Sequence, residues 1–314
     1  MNRGLRQPAL GNSHIAWVGL LAVIYALCYS AIKQGLAYAP ALRYAGLRAS
    51  LGGVALLVVA AVLGKSVIPP RRLWPWIPLL ALTGTFVEYG AMFLSPGRTG
   101  AGISSVLGNT GPLMVIALAA FMLSERLTLT KLSAMVLGTT GVSLIAYPAI
   151  TVAGRSGLVA AILPLTAAAG SAFSSVLFKR LNVGDAVLRV AGWQLLLGGL
   201  PLLAVSLGFE SGAVSWQPPF LGLLAFLGLV GTAFTLSLWY WLIQRGDVGG
   251  LSLLLFAVPL IGLILAAIFF GERIGALQAT GVAITIAALA IAARASRWNP
   301  QGGGRRQAVP PTPQ

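Results

Sequence analysis

Two ionisable residues, Arg48 and Glu88, lie inside long apolar stretches of the sequence. Where such a stretch crosses a membrane, a charged side chain near the middle of the helix costs about 2.5 to 3.5 kcal/mol, so each residue needs a partner that offsets this. Glu88 could bind a substrate ammonium or carry a proton, and Arg48 could hold a carboxylate through two parallel hydrogen bonds. The structural alternatives are that the two residues pair with each other or that Arg48 reaches a membrane surface.

Aromatic and amide side chains accompany these two residues. Tyr44 lies four residues before Arg48, on the same face of a helix, and Tyr89 follows Glu88 directly. Such rings could enclose an apolar or aromatic part of a substrate, although core packing or an interfacial belt is the simpler explanation for any single ring. The predicted binding residues are Tyr44, Arg48, Glu88, Tyr89, Trp193, Gln194 and Trp239.

The sequence lacks the residues that enzyme chemistry needs. Cys28 is the one cysteine and His14 the one histidine, so there is neither a Cys/His cluster for a metal nor an intramolecular disulfide. There is also no glycine-rich phosphate loop followed by Lys and Ser or Thr, which excludes ATP as a direct energy source. We therefore predict no catalytic residues, no metal and no cofactor.

Composition indicates that the chain is solvated by lipid. Of its 314 residues, 57% are hydrophobic and 9% are charged, with a mean hydropathy of +0.89, whereas soluble chains carry roughly 25% charged residues. The net charge of +15 comes from basic residues spread between apolar runs, without the basic and aromatic module of a nucleic-acid-binding protein. The predicted partners are the lipid bilayer and a small-molecule substrate, not nucleic acid. The oligomeric state is left open, with a monomer plausible.

Ten apolar runs are long enough to cross a hydrocarbon core, which takes about 20 residues per helix. Short polar or turn-forming breaks separate them, for example at Gly154 to Ser156. The sequence therefore predicts an all-α membrane protein with ten transmembrane helices. The runs cover roughly residues 15–33, 41–63, 73–94, 99–123, 129–148, 157–179, 186–208, 219–243, 247–270 and 275–295.

The positions of Lys and Arg predict the orientation, because basic residues favour the cytoplasmic side of a membrane. If both termini are cytoplasmic, all but six of the 21 basic residues lie in cytoplasmic segments. We predict a multi-pass protein of a bacterial inner membrane, with a cytoplasmic N-terminal segment at 1–14, five-helix copies at 15–148 and 157–296, and a disordered cytoplasmic tail at 297–314. The six exceptions are Lys33, Arg43, Arg48, Arg98, Arg155 and Arg273.

The two halves of the chain repeat each other. Residues 42–53 read LRYAGLRASLGG and residues 188–199 read LRVAGWQLLLGG, identical at seven of twelve positions at an offset of 146. Beyond one inserted residue the offset is 147, and it aligns Gly84-Thr85 with Gly231-Thr232. Because each copy holds an odd number of spans, the second copy must enter the membrane from the opposite side. Inverted repeats of this kind are typical of alternating access around a site near the midplane.

Two further correspondences concern function. Arg48 matches Gln194, so one copy carries a cation where the other carries a neutral amide, as an asymmetric ligand would require. Pro112 matches Pro259, and each is expected to remove a helix hydrogen bond in the middle of a span. The two prolines are predicted hinges, with a static kink as the alternative.

Pro112 followed thirteen residues later by Glu125, and Pro259 followed by Gly271-Glu272-Arg273, resemble the duplicated signature of the EamA family in the drug/metabolite transporter superfamily. The resemblance extends over about residues 15–295, with Ser124 as a departure where the second copy has glycine. It implies a ten-helix fold and the export of amino acids or related metabolites, although the family also includes importers.

Glu125-Arg126 and Glu272-Arg273 lie in the short turns between the fourth and fifth spans of the two copies. The positive end of a helix attracts a carboxylate. We therefore expect each Glu to cap the helix that follows it, in preference to a role in gating.

Together these features predict a secondary transporter of small amphipathic metabolites, with amino acid export, including aromatic or apolar amino acids, as the leading candidate. In this reading Arg48 and Glu88 complement a zwitterion in a central cavity between the copies. The alternatives are a passive channel, a non-transporting membrane scaffold, or a nucleotide-sugar or drug carrier of the same superfamily.

Overall fold

The computed structural model describes residues 13–95, 110–160, 162–261, 264 and 275–295. Every regular element in these ranges is a helix, as expected where lipid leaves backbone polar groups no other partner. We number the helices in these ranges α1 Ser13–Gly35, α2 Ala41–Val62, α3 Arg71–Leu94, α4 Gly111–Leu123, α5 Leu129–Ala160, α6 Ile162–Leu181, α7 Val187–Phe209, α8 Pro218–Arg245, α9 Val248–Ile261 and α10 Ala276–Ala295.

Within the described ranges, six helices are long and apolar enough to cross a membrane, namely α1, α2, α3, α6, α7 and α8. The apolar parts of the other four helices, α4, α5, α9 and α10, are shorter than those of these six. The prediction of an all-helical membrane protein is confirmed, whereas helix length alone does not establish ten spans. Parts of the predicted fourth span, at 99–109, and of the predicted ninth span, at 262–263 and 265–270, lie outside the described residues.

One predicted break does not interrupt its helix. The segment Gly154 to Ser156 was expected to be a loop, but α5 is continuous from Leu129 to Ala160 and α6 begins at Ile162. The reason is that glycine and serine lower helix stability by only about 1 kcal/mol or less each.

Helices α2 and α7 cross where their glycines meet. A Cβ atom on Gly46 would lie 2.9 Å from the carbonyl oxygen of Gly199, and one on Gly53 would lie 2.9 Å from that of Gly192. The order of these pairs makes the two helices antiparallel. Exchanging the copies at the offset of 146 leaves the set of contacts unchanged, which is the pattern of an inverted repeat. Larger residues here would push the helices apart.

Helices α3 and α8 each contain a π-helical segment, Leu82–Val87 and Phe226–Phe234. The offset of 147 places the first segment inside the second, at 229–234. Wider winding of this kind disturbs the regular ladder of backbone hydrogen bonds and is frequent at functional sites. The two segments lie on opposite copies and supply backbone carbonyls to the same region of the protein.

The N-terminus of α2 is held by the second copy. Its N-cap residue, Pro40, offers no side-chain acceptor, and Glu210 after α7 takes that role. The Glu210 carboxylate accepts the backbone N–H of Leu42 at 2.9 Å and that of Arg43 at 3.1 Å. A carboxylate at the positive end of a helix is stabilising, so this contact fixes one end of α2 relative to α7.

Candidate functional site

A cavity of about 200 Å³ lies between the two copies. Helices α1 to α4 of the first copy and α6, α8 and α9 of the second contribute to its wall, which includes both π-helical segments. Four of the predicted binding residues line it: Arg48, Glu88, Tyr89 and Trp239. Residues far apart in the sequence therefore converge on one cavity.

Arg48 reaches from α2 to the π-helical segment of α8 and is only 3% exposed. Its Nε donates to Thr232 Oγ1 at 2.6 Å and its Nη2 donates to the carbonyl oxygen of Gly231 at 2.9 Å. The guanidinium lies over the rings of Tyr89 and Phe93, 4.9 and 5.7 Å from their centroids. The remaining nitrogen, Nη1, is buried without a hydrogen-bond partner. The cavity thus contains a cation with one unsatisfied donor.

Glu88 follows the π-helical segment of α3 directly and lines the same cavity. Its carboxyl lies beside Ser171 of α6. This proximity depends on Gly170, where a Cβ atom would lie 2.5 Å from the carbonyl oxygen of Thr83. Among the described residues, no ion pair within 4.0 Å joins Glu88 to Arg48. The alternative in which these two residues neutralise each other directly is therefore not the arrangement found.

The second copy places Gln194 at the position of Arg48, behind the cavity wall and fully buried. Its Nε2 donates to the carbonyl oxygen of Gly84 at 3.4 Å and lies 3.5 Å from Ser174 Oγ. Its Oε1 accepts the hydroxyl of Tyr240 at 2.8 Å, and that hydroxyl lies 2.9 Å from Ser174 Oγ. Every polar atom of this amide has a partner, in contrast to Arg48.

Aromatic rings form part of the cavity wall. Trp239 lines the cavity and its indole N–H donates to Ser175 Oγ at 2.9 Å. Tyr240 is stacked on Phe178 with ring centroids 3.6 Å apart, so its hydroxyl is held in place. Together with Tyr89, these side chains offer flat apolar surface next to hydroxyl groups.

Two other predicted binding residues, Tyr44 and Trp193, lie away from the cavity. Tyr44 is fully buried and packs edge-on against Phe93, with centroids 5.3 Å apart. Trp193 donates its indole N–H to the carbonyl oxygen of Val67 at 3.0 Å and packs against Trp74. Packing in the core accounts for the position of Tyr44, and packing near the ends of the helices accounts for that of Trp193. Substrate contact by either residue stays a prediction.

The two predicted hinge prolines occupy different local settings. Pro112 lies in the first turn of α4, where the missing N–H leaves no helix hydrogen bond unmade. The segment 96–109 before it lies outside the described residues. Pro259 lies within α9, three residues after the 3₁₀ turn Leu254–Phe256, and it cannot donate to the carbonyl of Leu255. The hinge roles stay predictions, with Pro259 the one that interrupts a described helix.

The polar residues that α1 and α6 bring to the cavity are not among the predicted binding residues. No charge or motif marks them, since single hydroxyl and thiol groups are common in apolar helices. The repeat could have identified two of them: the offset of 146 pairs Cys28 with Ser174, and these lie against the equivalent glycines, Gly231 and Gly84 respectively. The lining residues missed on these helices include Tyr25, Cys28, Ser171, Ser174 and Ser175.

A second polar cluster joins the copies at the end of α8. Glu125, between α4 and α5, accepts the backbone N–H of Val248 at 3.0 Å and that of Gly249 at 3.2 Å. It therefore caps α9, and the prediction that it caps the following helix is wrong. The physical reason is that Thr128 already caps α5, accepting the N–H of Lys131 at 3.2 Å, while the free N–H groups of α9 lie within reach.

Two lysines complete this cluster. Lys131 is paired with Asp247 at 2.6 Å and lies 3.7 Å from Glu125. Lys179 lies 3.4 Å from Glu125 and donates to the carbonyl oxygen of Gly246. Because Glu125 and Lys131 belong to the first copy and Lys179 and Asp247 to the second, the cluster ties the copies together at this end.

The carboxylates of the cluster have opposite pKa shifts. Burial raises the pKa of Glu125, and the nearby Asp247 carboxylate raises it further. Burial also acts to raise the pKa of Asp247, but hydrogen bonds from Lys131 and from the Gly250 backbone outweigh it and hold the pKa below its usual value. Asp247 therefore carries the more firmly ionised charge. Glu272, the sequence counterpart of Glu125, lies outside the described residues.

The cavity offers a distinct set of interactions to a small molecule. Arg48 presents an unsatisfied donor, Glu88 an acidic group, and Tyr89 and Trp239 aromatic surface. A few convergent polar groups in a largely apolar space are typical of ligand sites. In the described part of the chain, no group of three or more His, Cys, Asp and Glu residues is placed to hold a metal ion.

Comparison with known proteins places the fold among transporters. An uncharacterized transporter of Bacillus subtilis (strain 168), YoaV, is 28% identical over 266 residues, which cover 81% of this chain and 86% of that protein. A probable amino-acid metabolite efflux pump of Salmonella typhimurium is 27% identical over 287 residues, covering 87% of this chain and 92% of that protein. A solved crystal structure with 19% identity has a TM-score of 0.78 and covers 91% of this chain and 98% of its own, which establishes the fold alone.

The sequence pattern of the EamA-like transporter family matches the chain twice, over residues 12–147 and 158–294. The two matches take up most of the chain, one in each half. The two relatives named above are described as a transporter and as a probable efflux pump, and the apolar helices of this chain are those of a multi-pass membrane protein. The resemblance drawn from the repeated proline and glutamate positions is confirmed, and the chain belongs to the EamA-like transporter family.

Proposed function

We propose that this protein is a secondary transporter that exports amino acids or related small amphipathic metabolites across a bacterial inner membrane. Transport proceeds by alternating access through the central cavity between the two copies. Apolar and aromatic amino acids are the favoured substrates. The cavity of about 200 Å³ suits a molecule of that size better than a nucleotide sugar.

One observation carries the proposal: Arg48 lines the cavity with a buried Nη1 that has no hydrogen-bond partner. A buried charge with an unmade hydrogen bond is unfavourable, more so than a neutral group in the same position. Of the four buried side-chain atoms without a partner in the described part of the chain, Arg48 Nη1 is the one that belongs to a residue lining the cavity. A substrate carboxylate supplies the missing acceptor.

Other groups on the wall complement the rest of an amino acid. Glu88 receives the substrate ammonium, with Ser171 beside it. Tyr89 and Trp239 pack against the substrate side chain. Names of relatives support both the substrate class and the direction, since two of them are described as probable amino-acid metabolite efflux pumps.

The membrane arrangement in this proposal has ten spans and two cytoplasmic termini. Six long apolar helices and four shorter ones in the described ranges support the count, and the distribution of Lys and Arg supports the orientation. The Glu125 cluster then lies at the cytoplasmic end and the Glu210 contact at the opposite end. The two copies are inverted, and rocking of one against the other alternates access to the cavity.

The test is transport by the purified full-length chain in proteoliposomes, using a panel of radiolabelled amino acids. A carrier gives saturable uptake that unlabelled substrate inside the vesicles accelerates. Uptake proportional to concentration and indifferent to internal substrate would instead identify a passive channel. If no amino acid is transported but a nucleotide sugar or a drug is, the protein is a carrier for that other class of substrate. No flux at all would favour a scaffold.

A further inference from the structure

The immediate neighbours of Arg48 and Gln194 differ at two equivalent positions. The offset of 147 pairs Phe93 with Tyr240, and the offset of 146 pairs Cys28 with Ser174. At these two positions the second copy therefore offers its polar residue two hydroxyl groups, whereas the first copy offers the cation a phenyl ring and a nearby thiol.

In the second copy these hydroxyls satisfy the polar residue completely. Tyr240 donates to Gln194 Oε1 at 2.8 Å, and Ser174 Oγ lies 3.5 Å from Gln194 Nε2. With Gly84 as the other acceptor for Nε2, the amide has no polar atom left for a ligand. Burial of this group is therefore tolerated without a substrate.

In the first copy the equivalent neighbours leave a donor free. Phe93 is 1% exposed and presents its ring face to the guanidinium. Cys28 is 4% exposed and lies against Gly231, whose carbonyl oxygen already accepts Nη2 of Arg48. A phenyl ring is no acceptor of the usual kind and a thiol is a weak one. Hence Nη1 stays without a partner.

We propose that Phe93 and Cys28 are specificity residues that keep Arg48 Nη1 free, so that the cavity binds substrates through one carboxylate group at this atom. The site equivalent to Gln194 takes no ligand, because Tyr240 and Ser174 already fill its hydrogen bonds. This inference rests on the proposed function, in that the carboxylate belongs to the transported molecule.

A single carboxylate follows from the charge of the wall. Among the described residues that line the cavity, Arg48 is the one basic side chain. A second carboxylate on the ligand would face Glu88 or the neutral hydroxyls of α6. Burying an uncompensated anion is strongly unfavourable, so dicarboxylates are excluded and monocarboxylates with an apolar group are accepted.

The decisive variant is Cys28→Ser, with Cys28→Ala as its matched control. A serine hydroxyl is nearly the size of the thiol but accepts hydrogen bonds well, so it satisfies Arg48 from within the protein, as Ser174 helps to satisfy Gln194. Alanine removes the thiol without adding an acceptor. Both changes are small at a buried position, and Phe93→Tyr provides a second, independent route to the same result.

Ligand binding is measured directly, as thermal stabilisation of the purified full-length chain in detergent. The probes are L-leucine, L-leucinamide, 4-methylpentanoate and the dicarboxylate glutarate. We expect L-leucine and 4-methylpentanoate to stabilise the wild type and leucinamide and glutarate to have little effect. Cys28→Ser should raise the carboxylate concentration needed by about tenfold, the value of one charge-assisted hydrogen bond, while Cys28→Ala binds like the wild type.

Three outcomes overturn the inference: leucinamide or glutarate stabilising the protein as well as leucine, no carboxylate stabilising it, or Cys28→Ser and Cys28→Ala behaving alike while Phe93→Tyr has no effect. If Cys28→Ser melts too early to be measured, Phe93→Tyr alone decides between weaker and unchanged binding.

The proposed function fails by a different measurement. Carboxylate binding that depends on Cys28 and Phe93 without flux in proteoliposomes would refute transport and support the inference. Saturable flux of amino acids together with equal flux of their amides would support transport and refute the carboxylate site.

Discussion

Arg48 and Gln194, which occupy equivalent positions in the two copies, each donate to a glycine carbonyl of the opposite copy. Arg48 Nη2 reaches Gly231 at 2.9 Å and Gln194 Nε2 reaches Gly84 at 3.4 Å. Both glycines lie in π-helical segments. The same contact is therefore made twice across the interface between the copies, once by a cation with a free donor and once by an amide without one.

Arg48→Gln should leave the fold intact and abolish most amino acid transport. Glutamine makes this contact naturally in the other copy, so the helices should still pack. Loss of the charged donor should raise the apparent KM for export at least about tenfold. Flux in proteoliposomes measures this, with Arg71→Gln, exposed at the start of α3, as the control. Wild-type transport kinetics in Arg48→Gln would show that Arg48 does not bind the substrate.

Glu88→Gln should preserve the fold, since the amide has the same shape, but should reduce transport or change its dependence on pH. Lost pH dependence with retained binding identifies a proton site, whereas weaker binding at every pH identifies a ligand for the substrate ammonium. The control is Asp185→Asn, because that side chain is 78% exposed. Binding and transport unaltered across the pH range would make Glu88 a structural residue.

Pro112→Ala and Pro259→Ala should both give folded protein with slower transport. An added N–H stiffens α9 at the 3₁₀ turn before Pro259. At Pro112 the effect should be smaller if that residue only begins α4, as it does in the described chain. Turnover is compared with that of Pro201→Ala, which changes a proline inside α7. The hinge hypothesis does not survive if Pro112→Ala and Pro259→Ala both transport at the wild-type rate.

Lys131→Met should destabilise the protein by about 1 to 3 kcal/mol, as expected when a charge-assisted hydrogen bond is lost from a partly exposed ion pair. The lysine side chain is 7% exposed and serves both Asp247, which is 39% exposed, and Glu125. Its removal leaves Asp247 without its ion-pair partner, while Lys179, 3.4 Å away, still neutralises Glu125. The double variant Lys131→Met/Asp247→Asn should recover part of the loss. Thermal melting in detergent measures both, and equal stability of Lys131→Met and wild type would show the cluster to be unimportant.

Reporter fusions should place both termini in the cytoplasm. The prediction depends on the distribution of Lys and Arg and on two copies with five spans each. A fusion after Arg306 that reports from the periplasm would contradict the charge argument and the even number of spans together. A second fusion between Lys65 and Arg71 should report from the cytoplasm as well.

Several properties of this protein follow from the chain alone. Composition shows that lipid is the solvent and that the chain is helical. Residues repeated at a fixed offset show the duplication and the family. Each of these properties depends on local sequence pattern rather than on packing. The cost of burying charge was also enough to single out Arg48 and Glu88, and both line the cavity. These two residues could be identified without knowing which side chains surround them.

Other properties were decided only when the helices packed. Tyr44 shares a helical face with Arg48, yet its ring packs against Phe93 away from the cavity. Glu125 caps a helix of the other copy, because hydrogen bonds go to whichever free N–H groups the fold brings near. In our proposal the unmade bond of Arg48 depends on Cys28, which lies 20 residues earlier in the sequence and packs against Gly231. Whether a buried polar atom is satisfied depends on distances between helices, and those exist only in the tertiary structure.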